Sequence, residues 1–234
     1  MRNFLTAEWR DLIMANYEVD PALLAPRLPA GTQLDLHDGK CFVSLVGFMF
    51  LNTRVLGLPI PYHRNFEEIN LRFYVKREVG DEVRRGVVFI KEIVPRYAIA
   101  WVASALYGEP YEAASMSNRN DAGKVHYSAL NFKGVNSIKA TRGERTGVPE
   151  EGSHEEFIIE HYWGYTKRSD RRTDEYKVEH PKWELYANRH VKIKVNFAGW
   201  YGKEFHHLRY EKPNSVVLAK GSEIAVYKGK TINL

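Results

Sequence analysis

The sequence predicts a mainly β protein, because strand-like patterns recur along most of its 234 residues. The segment Glu67–Lys76 alternates polar and apolar residues with the period of two expected of a half-buried strand. The segment Lys40–Phe50 is almost continuously apolar, which is typical of a strand buried on both faces or of a β-structure closed on itself. Thr141–His154 is the one plausible seam, and it is too short for a flexible interdomain linker. We therefore expect one β-rich α+β domain that spans residues 1–234.

The N-terminal elements are a strand and a short helix. Arg10–Tyr17 is a moderately apolar run that fits a strand. Asp20 then precedes a proline, and an aspartate in that position is a good helix N-cap. We expect a short helix within Asp20–Pro29.

A buried helix is predicted directly after the strand Asp81–Val94. Pro95 suits the first helical position, and Gly108 suits the left-handed residue after the last turn. Between them, apolar residues recur at helical spacing, so the helix Pro95–Tyr107 has one face built for burial. We expect this helix to present the Gly-Glu-Pro-Tyr turn that ends in Tyr111, where a functional site could form.

The C-terminal half continues the strand pattern. Ser215–Lys228 is predicted to be a hairpin that turns at Gly221-Ser222, and Phe197–Leu208 has room for one further short helix. The other predicted strands are Lys124–Phe132, Ser137–Thr141, Glu156–Tyr165 and Trp183–Phe197.

Charge and hydropathy limit the classes of partner that we expect this protein to bind. The formal net charge is +5, but 34 basic residues stand against 29 acidic ones. The signs alternate locally, as in Lys167–Glu175, whereas a phosphate backbone requires a stripe of one sign. No stretch approaches the roughly 18–20 apolar residues of a membrane span, and the first residues lack the apolar core of a signal peptide. We expect a cytoplasmic protein that binds neither nucleic acid nor membrane, and unpaired edge strands leave room for a homo-oligomer.

Metal and cofactor signatures are absent from the sequence. Cys41 is the only cysteine, which excludes an internal disulfide and a cysteine-based zinc cage, and its apolar surroundings predict a buried small hydrophobe. None of the nine histidines has a recognised metal-binding spacing, and no phosphate- or dinucleotide-binding motif is present. We therefore predict no metal and no cofactor.

A row of polar residues on the predicted strand Glu67–Lys76 is a candidate binding surface. Glu68, Asn70 and Arg72 share one face of the strand with Tyr74, and neighbours in the row lie about 6.6 Å apart. A carboxylate, an amide and a guanidinium in one line could grip a small polar ligand inside a barrel. Periodicity alone favours the other interpretation, in which the row faces solvent.

Several motifs resemble one family. In order and spacing they are similar to the DUF2071, or YqjF-like, family of bacterial proteins of unknown function, which is grouped with the acetoacetate decarboxylase-like fold. The resemblance implies a curved antiparallel β-barrel or cone with few short helices. It is carried by Asn65–Val75, Gly86–Ile93 and Leu106–Met116, and it extends through Trp9, Leu28–Gly31 and Ser215–Gly221.

The resemblance also implies a substitution at the catalytic position. The decarboxylases form a Schiff base through a lysine that follows a proline, and an adjacent cation lowers the pKa of that amine. Here Tyr111 stands in place of the lysine and Glu112 in place of the cation, while Arg10 matches a pocket arginine and Ser44 replaces a pocket acid. A phenol forms no imine, so Schiff-base decarboxylation by this route is not expected. Lys91 could act as a relocated amine, but an ordinary strand lysine is favoured.

These observations lead to one functional hypothesis and one rival. The first is a pocket that binds a small anionic or carbonyl-bearing metabolite through Arg10, Glu68, Asn70, Arg72 and Tyr111. If the protein is an enzyme, Tyr111 would donate a proton and Glu68 would act as the base. The rival is a structural or interaction protein whose barrel interior is filled by side chains.

Overall fold

The computed structural model describes residues 3–59, 64–95, 108–121 and 123–234. In these ranges the chain forms fifteen strands, two short α-helices and three short 3-10 helices. The helices are His154–Ile159 and Phe197–Tyr201, and the 3-10 helices are Pro21–Leu23, Ala25–Arg27 and Lys203–Arg209. The strands are β1 (Asn3–Glu18), β2 (Gln33–Leu34), β3 (Phe42–Val55), β4 (Leu58–Pro59), β5 (Phe66–Val79), β6 (Glu82–Val94), β7 (Tyr111–Ala113), β8 (Ser115–Asn118), β9 (Lys124–Asn131), β10 (Gly134–Gly147), β11 (Trp163–Ser169), β12 (Arg172–Glu179), β13 (Leu185–Val195), β14 (Ser215–Tyr227) and β15 (Lys230–Asn233).

Seven strands close into a ring. They are hydrogen-bonded in the order β12, β11, β6, β5, β3, β1 and β14, and β14 pairs again with β12 through Val226 opposite Val178. Most pairings are antiparallel, but β6 pairs in parallel with β11 and with β7, so the sheet is mixed. The mainly β class with few short helices is therefore confirmed.

Two hydrophobic cores lie on the two faces of the ring strands. On β5, Ile69, Leu71 and Phe73 belong to a core that also contains residues of β9, β10 and the helix Phe197–Tyr201. The residues between them on β5 face the interior of the ring, where apolar side chains of β1, β3, β12 and β14 form the second core. The alternation of side chains thus divides β1, β3, β5, β6 and β14 between the two cores, whereas the buried apolar residues of β11 belong to the first core and those of β12 to the second.

Several sequence predictions are confirmed. β1 contains the predicted strand Arg10–Tyr17, and Asp20 accepts a hydrogen bond from the backbone of Ala22 at the start of the first 3-10 helix. Cys41 is buried, and burial raises the pKa of its thiol to about 11. Gly108 has the predicted left-handed conformation, with φ of 65°. The predicted helix Pro95–Tyr107 lies outside the described residues except for Pro95.

The prediction of a strand at Glu156–Tyr165 was wrong for its first half. The chain forms a helix at His154–Ile159, and the strand begins only at Trp163. Ser153 accepts a hydrogen bond from the backbone of Glu156, and the first turn carries acidic residues. This is the S-x-x-E capping pattern, a local helix signal that outweighs the strand-like composition after it.

The predicted hairpin at Gly221-Ser222 was also wrong. β14 runs without a turn from Ser215 to Tyr227. Gly221 has φ of 74°, and a Cβ atom there would lie 1.9 Å from the carbonyl oxygen of Trp9. This glycine permits a close approach of two neighbouring strands, which is a second established use of glycine in sheets.

Candidate functional site

A cavity of about 130 Å³ lies inside the ring, and every one of the seven ring strands contributes to its wall. An apolar cavity of about 150 Å³ is known to hold benzene, so this volume matches a ligand of about six or seven non-hydrogen atoms. The side chains of the described residues therefore leave space inside the ring. Four other pockets are larger, at about 710, 320, 300 and 770 Å³, but none of them contains the buried carboxyl groups described below.

The polar row of β5 lines this cavity. Glu68, Asn70 and Arg72 all belong to its wall, and Glu68 and Asn70 are only 2% and 1% exposed. The interpretation that the row faces solvent was wrong. Closure of the sheet into a ring converts the polar face of β5 into an inner surface, which periodicity along one strand does not reveal.

Arg72 is the cation of the cavity. Among the described lining residues it is the only lysine or arginine. Its guanidinium donates a hydrogen bond of 3.3 Å to the carbonyl oxygen of Ile158 and contacts the sulfur of Met14. No carboxylate of the described residues lies within 4 Å of it, and its buried Nε has no hydrogen-bond partner in that part of the chain. This guanidinium is available to an anion.

Three carboxyl groups line the same cavity. Glu68, Glu92 and Glu109 are buried, at 2%, 2% and 5% exposure, and they are close enough to influence one another's ionisation. Because burial and mutual repulsion disfavour three negative charges in one cavity, the cluster retains protons.

Burial is the main cause of the raised pKa values in this cluster. Burial, with the charge of Glu109, raises the pKa of Glu68 to about 8, although Asn70 donates a 2.8 Å hydrogen bond to its carboxylate. Burial raises the pKa of Glu109 to about 7, although Tyr176 donates a 2.5 Å hydrogen bond to it. Burial and the charges of both neighbours raise the pKa of Glu92 well above its usual range, so Glu92 is the group that keeps its proton.

Tyr111 stands at the edge of this acidic cluster. Its ring lines the cavity, and its phenol hydrogen-bonds with Glu92. Burial and the nearby carboxylates raise the pKa of Tyr111 well above its usual range. Tyr111 is therefore a neutral hydrogen-bond donor rather than a strong proton donor.

His161 is a neutral imidazole in the cavity wall. Its Nε2 lies 3.0 Å from Asp35, and Arg85 donates a hydrogen bond of 2.6 Å to the same carboxylate oxygen. Burial lowers the pKa of His161 to about 4, so the ring is neutral and Nε2 carries the proton that Asp35 accepts. Nδ1 is then an acceptor, and it has no partner among the described residues. The imidazole ring also packs against the ring of Tyr74, at a centroid distance of 4.7 Å.

Aromatic side chains form the apolar part of the wall. Trp9 makes edge contacts with Phe48, Phe50 and Trp183, at centroid distances of 5.5, 5.9 and 6.3 Å. The Nε1 of Trp9 is buried and has no acceptor within the described ranges. The cavity thus joins an apolar surface to a polar one that carries both acids and a cation.

Unpaired buried polar atoms are concentrated around this cavity. In a folded protein such atoms normally have a partner, so a cluster of them marks a place for a ligand or for water. Among the described residues, six such nitrogen and oxygen atoms belong to residues of the wall: Trp9 Nε1, Glu68 Oε2, Asn70 Oδ1, Arg72 Nε, Glu92 Oε2 and His161 Nδ1.

Arg10 does not line the cavity. Its guanidinium pairs with Glu8 at 2.7 Å and donates to the carbonyl oxygen of Gly221. Ser44, which the family resemblance places at the position of a pocket acid, is buried and forms hydrogen bonds with Asn16 and Tyr74. A β-bulge in β1, where Asp11 has φ of 55°, changes which residues of this strand face inward.

Lys91 also lies away from the cavity. It forms an ion pair of 2.9 Å with Glu112, and Lys133 contacts the same carboxylate. Although burial raises the pKa of Glu112, hydrogen bonds from the two lysines hold it below its usual range. Every lysine of the chain lies in the described ranges, and none lines the cavity.

Two of the three carboxyl groups in the cavity, those of Glu92 and Glu109, were not predicted from the sequence. Glu92 interrupts the apolar end of β6, and a carboxylate in an apolar strand end was the available signal. Glu109 lies in the Gly-Glu-Pro-Tyr turn that ends in Tyr111, but no function was predicted for it. Gly164 was a further signal, because a glycine within a strand often marks a close approach. A Cβ atom there would lie 2.0 Å from the ring of Tyr176.

Two further findings concern the described residues as a whole. No helix there is long and apolar enough to cross a membrane. No group of three or more histidine, cysteine, aspartate or glutamate side chains in those ranges is arranged to hold a metal ion.

The fold defines a class of protein. The chain superimposes on the acetoacetate decarboxylase of Legionella pneumophila with a TM-score of 0.67 over 98% of this chain and 87% of that one, at 12% identity. It also superimposes on the enduracididine biosynthesis enzyme MppR, in a complex with pyruvate, with a TM-score of 0.67 over 99% and 91% of the two chains, also at 12% identity. The fold is therefore acetoacetate decarboxylase-like.

Within that class, the chain belongs to the DUF2071 family of uncharacterised conserved proteins, whose model matches residues 6–223. It is 26% identical over 192 residues to the uncharacterised protein YqjF of Bacillus subtilis (strain 168), which covers 80% of this chain and 77% of that protein. The resemblance read from the sequence motifs is thus confirmed.

Proposed function

We propose that the ring cavity binds a small monoanionic metabolite that carries a carbonyl group. The observation that carries this proposal is the guanidinium of Arg72, whose Nε has no partner among the described residues, in the same cavity of about 130 Å³ as the carboxyl groups of Glu68 and Glu92. Arg72 would hold the carboxylate of the ligand, since guanidinium and carboxylate form charge-assisted hydrogen bonds. Protonated Glu92 and the phenol of Tyr111 would donate hydrogen bonds to the carbonyl oxygen.

Electrostatics are compatible with an anion despite the three acids. Burial raises the pKa of Glu68 to about 8 and that of Glu92 well above its usual range, so at neutral pH this pair does not carry two full negative charges. The positive charge of Arg72 is therefore only partly neutralised by these carboxyl groups. A cavity of this composition accepts one negative charge more readily than two.

Size and wall chemistry define the rest of the ligand. The volume suits a three- or four-carbon oxo acid such as pyruvate or 2-oxobutanoate. The aromatic wall around Trp9 would contact the methyl or ethyl group of such a molecule. MppR, which shares the fold, was solved in a complex with pyruvate.

Binding is proposed to proceed without a Schiff base. No lysine lines the cavity, and Lys91 is paired with Glu112 outside it. Borohydride added to the protein with pyruvate should therefore leave its mass unchanged. A mass increase that matches a reduced pyruvate adduct would contradict this part of the proposal.

The binding test compares two arginines. We expect Arg72→Gln to weaken the binding of pyruvate and 2-oxobutanoate about tenfold or more, because a hydrogen bond to a charged group contributes roughly 1.5–3 kcal/mol. Arg10→Gln is the matched control, because this guanidinium lies outside the cavity. Isothermal titration calorimetry provides the affinities. Equal affinities in the two variants, or no binding by the wild type, would overturn the proposal and favour the structural alternative.

The phenol is tested separately. Tyr111→Phe removes one of two proposed donors to the carbonyl oxygen, so we expect a loss in affinity of about fivefold, smaller than for Arg72→Gln. Unchanged affinity would remove Tyr111 from the binding site and leave Glu92 as the donor.

A further inference from the structure

We propose that the carboxyl pair Glu68 and Glu92 interconverts the keto and enol forms of a small oxo acid bound in the ring cavity. This inference rests on the proposed binding function and adds a reaction to it. It requires neither a lysine nor a cofactor, because the base and the acid are both present in the cavity wall.

The first argument is the placement of the two groups. Glu68 is on β5 and Glu92 is on the neighbouring strand β6, where Glu92 is the register partner of Asn70. Both carboxyl groups line the cavity, and Asn70, which is paired with Glu92 in the sheet, donates a 2.8 Å hydrogen bond to Glu68. One oxygen of each, Oε2, receives no hydrogen bond from an N–H or a hydroxyl group of the described residues. Two buried carboxyl groups that influence each other's ionisation share a proton, so one is an acid while the other is a base.

The second argument assigns the two roles. Glu68 accepts a hydrogen bond from Asn70 and lies near the positive charge of Arg72, and both stabilise its ionised form. No lysine or arginine of the described residues forms an ion pair with Glu92, and the charges of Glu68 and Glu109 favour its protonated form. Glu68 is therefore the base and Glu92 the acid. Tyr111 does not supply the proton, because burial and the nearby carboxylates raise its pKa well above its usual range.

The reaction balances without another reactant. The carboxylate of Glu68 takes a proton from the carbon next to the carbonyl group, and the electron pair of the C–H bond becomes the C=C bond of the enol. The π electrons of the C=O bond move to oxygen, which takes the proton of Glu92. Proton transfer from Glu68 to Glu92 then restores both groups.

The environment suits this chemistry in two respects. Burial raises the pKa of Glu68 to about 8, with Glu109 raising it and Asn70, Arg72 and Glu92 opposing the increase, so its carboxylate is a stronger base than an exposed one. The developing negative charge on oxygen is met by the donors Glu92 and Tyr111 in a cavity screened from bulk water. Aromatic residues of the same cavity wall, such as Trp9 and Phe48, would give the bound carbon chain an apolar environment.

The test measures exchange of carbon-bound hydrogen. Wild-type protein is incubated with 2-oxobutanoate in D₂O, and proton NMR follows loss of the C3 signal as deuterium replaces hydrogen. We expect exchange well above the rate without protein. Glu68→Gln and Glu92→Gln should each reduce the protein-dependent rate about a hundredfold, the lower end of the usual range for general acid–base catalysis.

A control on the same strand separates chemistry from folding. Glu67 is next to Glu68 but accepts a hydrogen bond from Asn118 and does not line the cavity, so Glu67→Gln should leave the exchange rate unchanged. Circular dichroism of each variant shows whether it is folded. Because glutamine preserves the shape of glutamate, a folded variant that keeps the wild-type exchange rate would remove that residue from the mechanism.

Binding and exchange are read from the same samples. Binding of 2-oxobutanoate without exchange would overturn the enolisation and leave the proposed function intact. Absence of both would overturn the two together. Exchange that is equal in the wild type and in both glutamine variants would also overturn the inference, because the reaction would then occur elsewhere.

Discussion

Glu109 and Glu112 are three residues apart, yet they lie in opposite electrostatic environments. Glu109 belongs to the cluster with Glu68 and Glu92 inside the ring, where burial raises its pKa to about 7. Glu112 lies outside the ring between two lysines, which hold its pKa below the usual range. The comparison shows that burial and the identity of the neighbouring groups, rather than the residue type, decide whether a carboxyl group is protonated or ionised.

The two clusters also differ in what they do for the fold. The ion-paired cluster of Glu112 contributes to stability at neutral pH. The cluster inside the ring opposes stability at high pH, because its carboxyl groups must ionise without a cation apart from Arg72. Buried groups that cost stability are often retained at functional sites. This contrast supports placing the function in the ring cavity.

The largest effect on stability is expected from Glu112→Gln. It leaves Lys91 and Lys133 close together and largely buried without their carboxylate. We expect a loss of about 1–3 kcal/mol in the free energy of unfolding at pH 7. Urea denaturation measures it, and an unchanged unfolding midpoint would show that solvent screens this cluster fully.

The pH dependence of that variant has a definite sign. The pKa of Glu112 is lowered by folding, so its contribution is present above a pH of about 4.5 and is lost as the pH falls below that value. We therefore expect the difference between Glu112→Gln and the wild type to shrink between pH 5 and pH 3.

For Glu92→Gln we expect a smaller change in the free energy of unfolding, and in the opposite direction. Folding raises the pKa values of the carboxyl groups in the ring cavity. Their contribution to the free energy of unfolding is therefore fully present below about pH 4.5 and is lost as the pH rises through 7 to 8. The neutral amide removes one ionisation, so we expect this variant to be more stable than the wild type at pH 9, by about 1–2 kcal/mol. For a chain of this length the melting temperature should rise by about 2–8 °C.

The control for this prediction is Glu78→Gln, at an exposed position of the same sheet strand as Glu68. It should leave the pH profile of the melting temperature unchanged. A Glu92→Gln profile that runs parallel to the wild type between pH 6 and pH 9 would contradict the protonated cluster.

The smallest effect is expected from Lys91→Met, which sharpens the comparison by removing one of the two cations. Lys133 and Asn131 still donate hydrogen bonds to Glu112, and Met keeps the length of the apolar part of the side chain. We expect a loss of about 0.5 kcal/mol. A loss as large as that of Glu112→Gln would show that Lys91 alone accounts for the cluster.

Local sequence signals predicted where individual elements begin better than they predicted the contacts of those elements with distant parts of the chain. Asp20 before Pro21 predicted a helix start because capping depends only on neighbouring residues. Ser153 and Glu156 carried an equally local signal that was overlooked in favour of composition. Gly221 was misread because a glycine in a turn and a glycine at a close approach look identical in sequence.

The candidate site was predicted in part. The strand pattern placed Glu68, Asn70 and Arg72 on one face, and this alternation is correct. The assignment of Arg10 to the pocket failed because a bulge in β1 shifts the alternation, and no residue-level pattern announces a bulge. Glu92 and Glu109 escaped notice because they are far from β5 in sequence.

The sequence by itself determined the class of the fold, the family and the shared face of the β5 row, since these depend on periodicity and on motifs in fixed order. Only the tertiary structure decided that this face is the inside of a ring. Closing the sheet brings Glu68, Glu92 and Glu109 together. It also excludes the water that would otherwise stabilise their ionised forms. A pKa depends on the solvent and charges around a group, and those are set by residues distant in the chain.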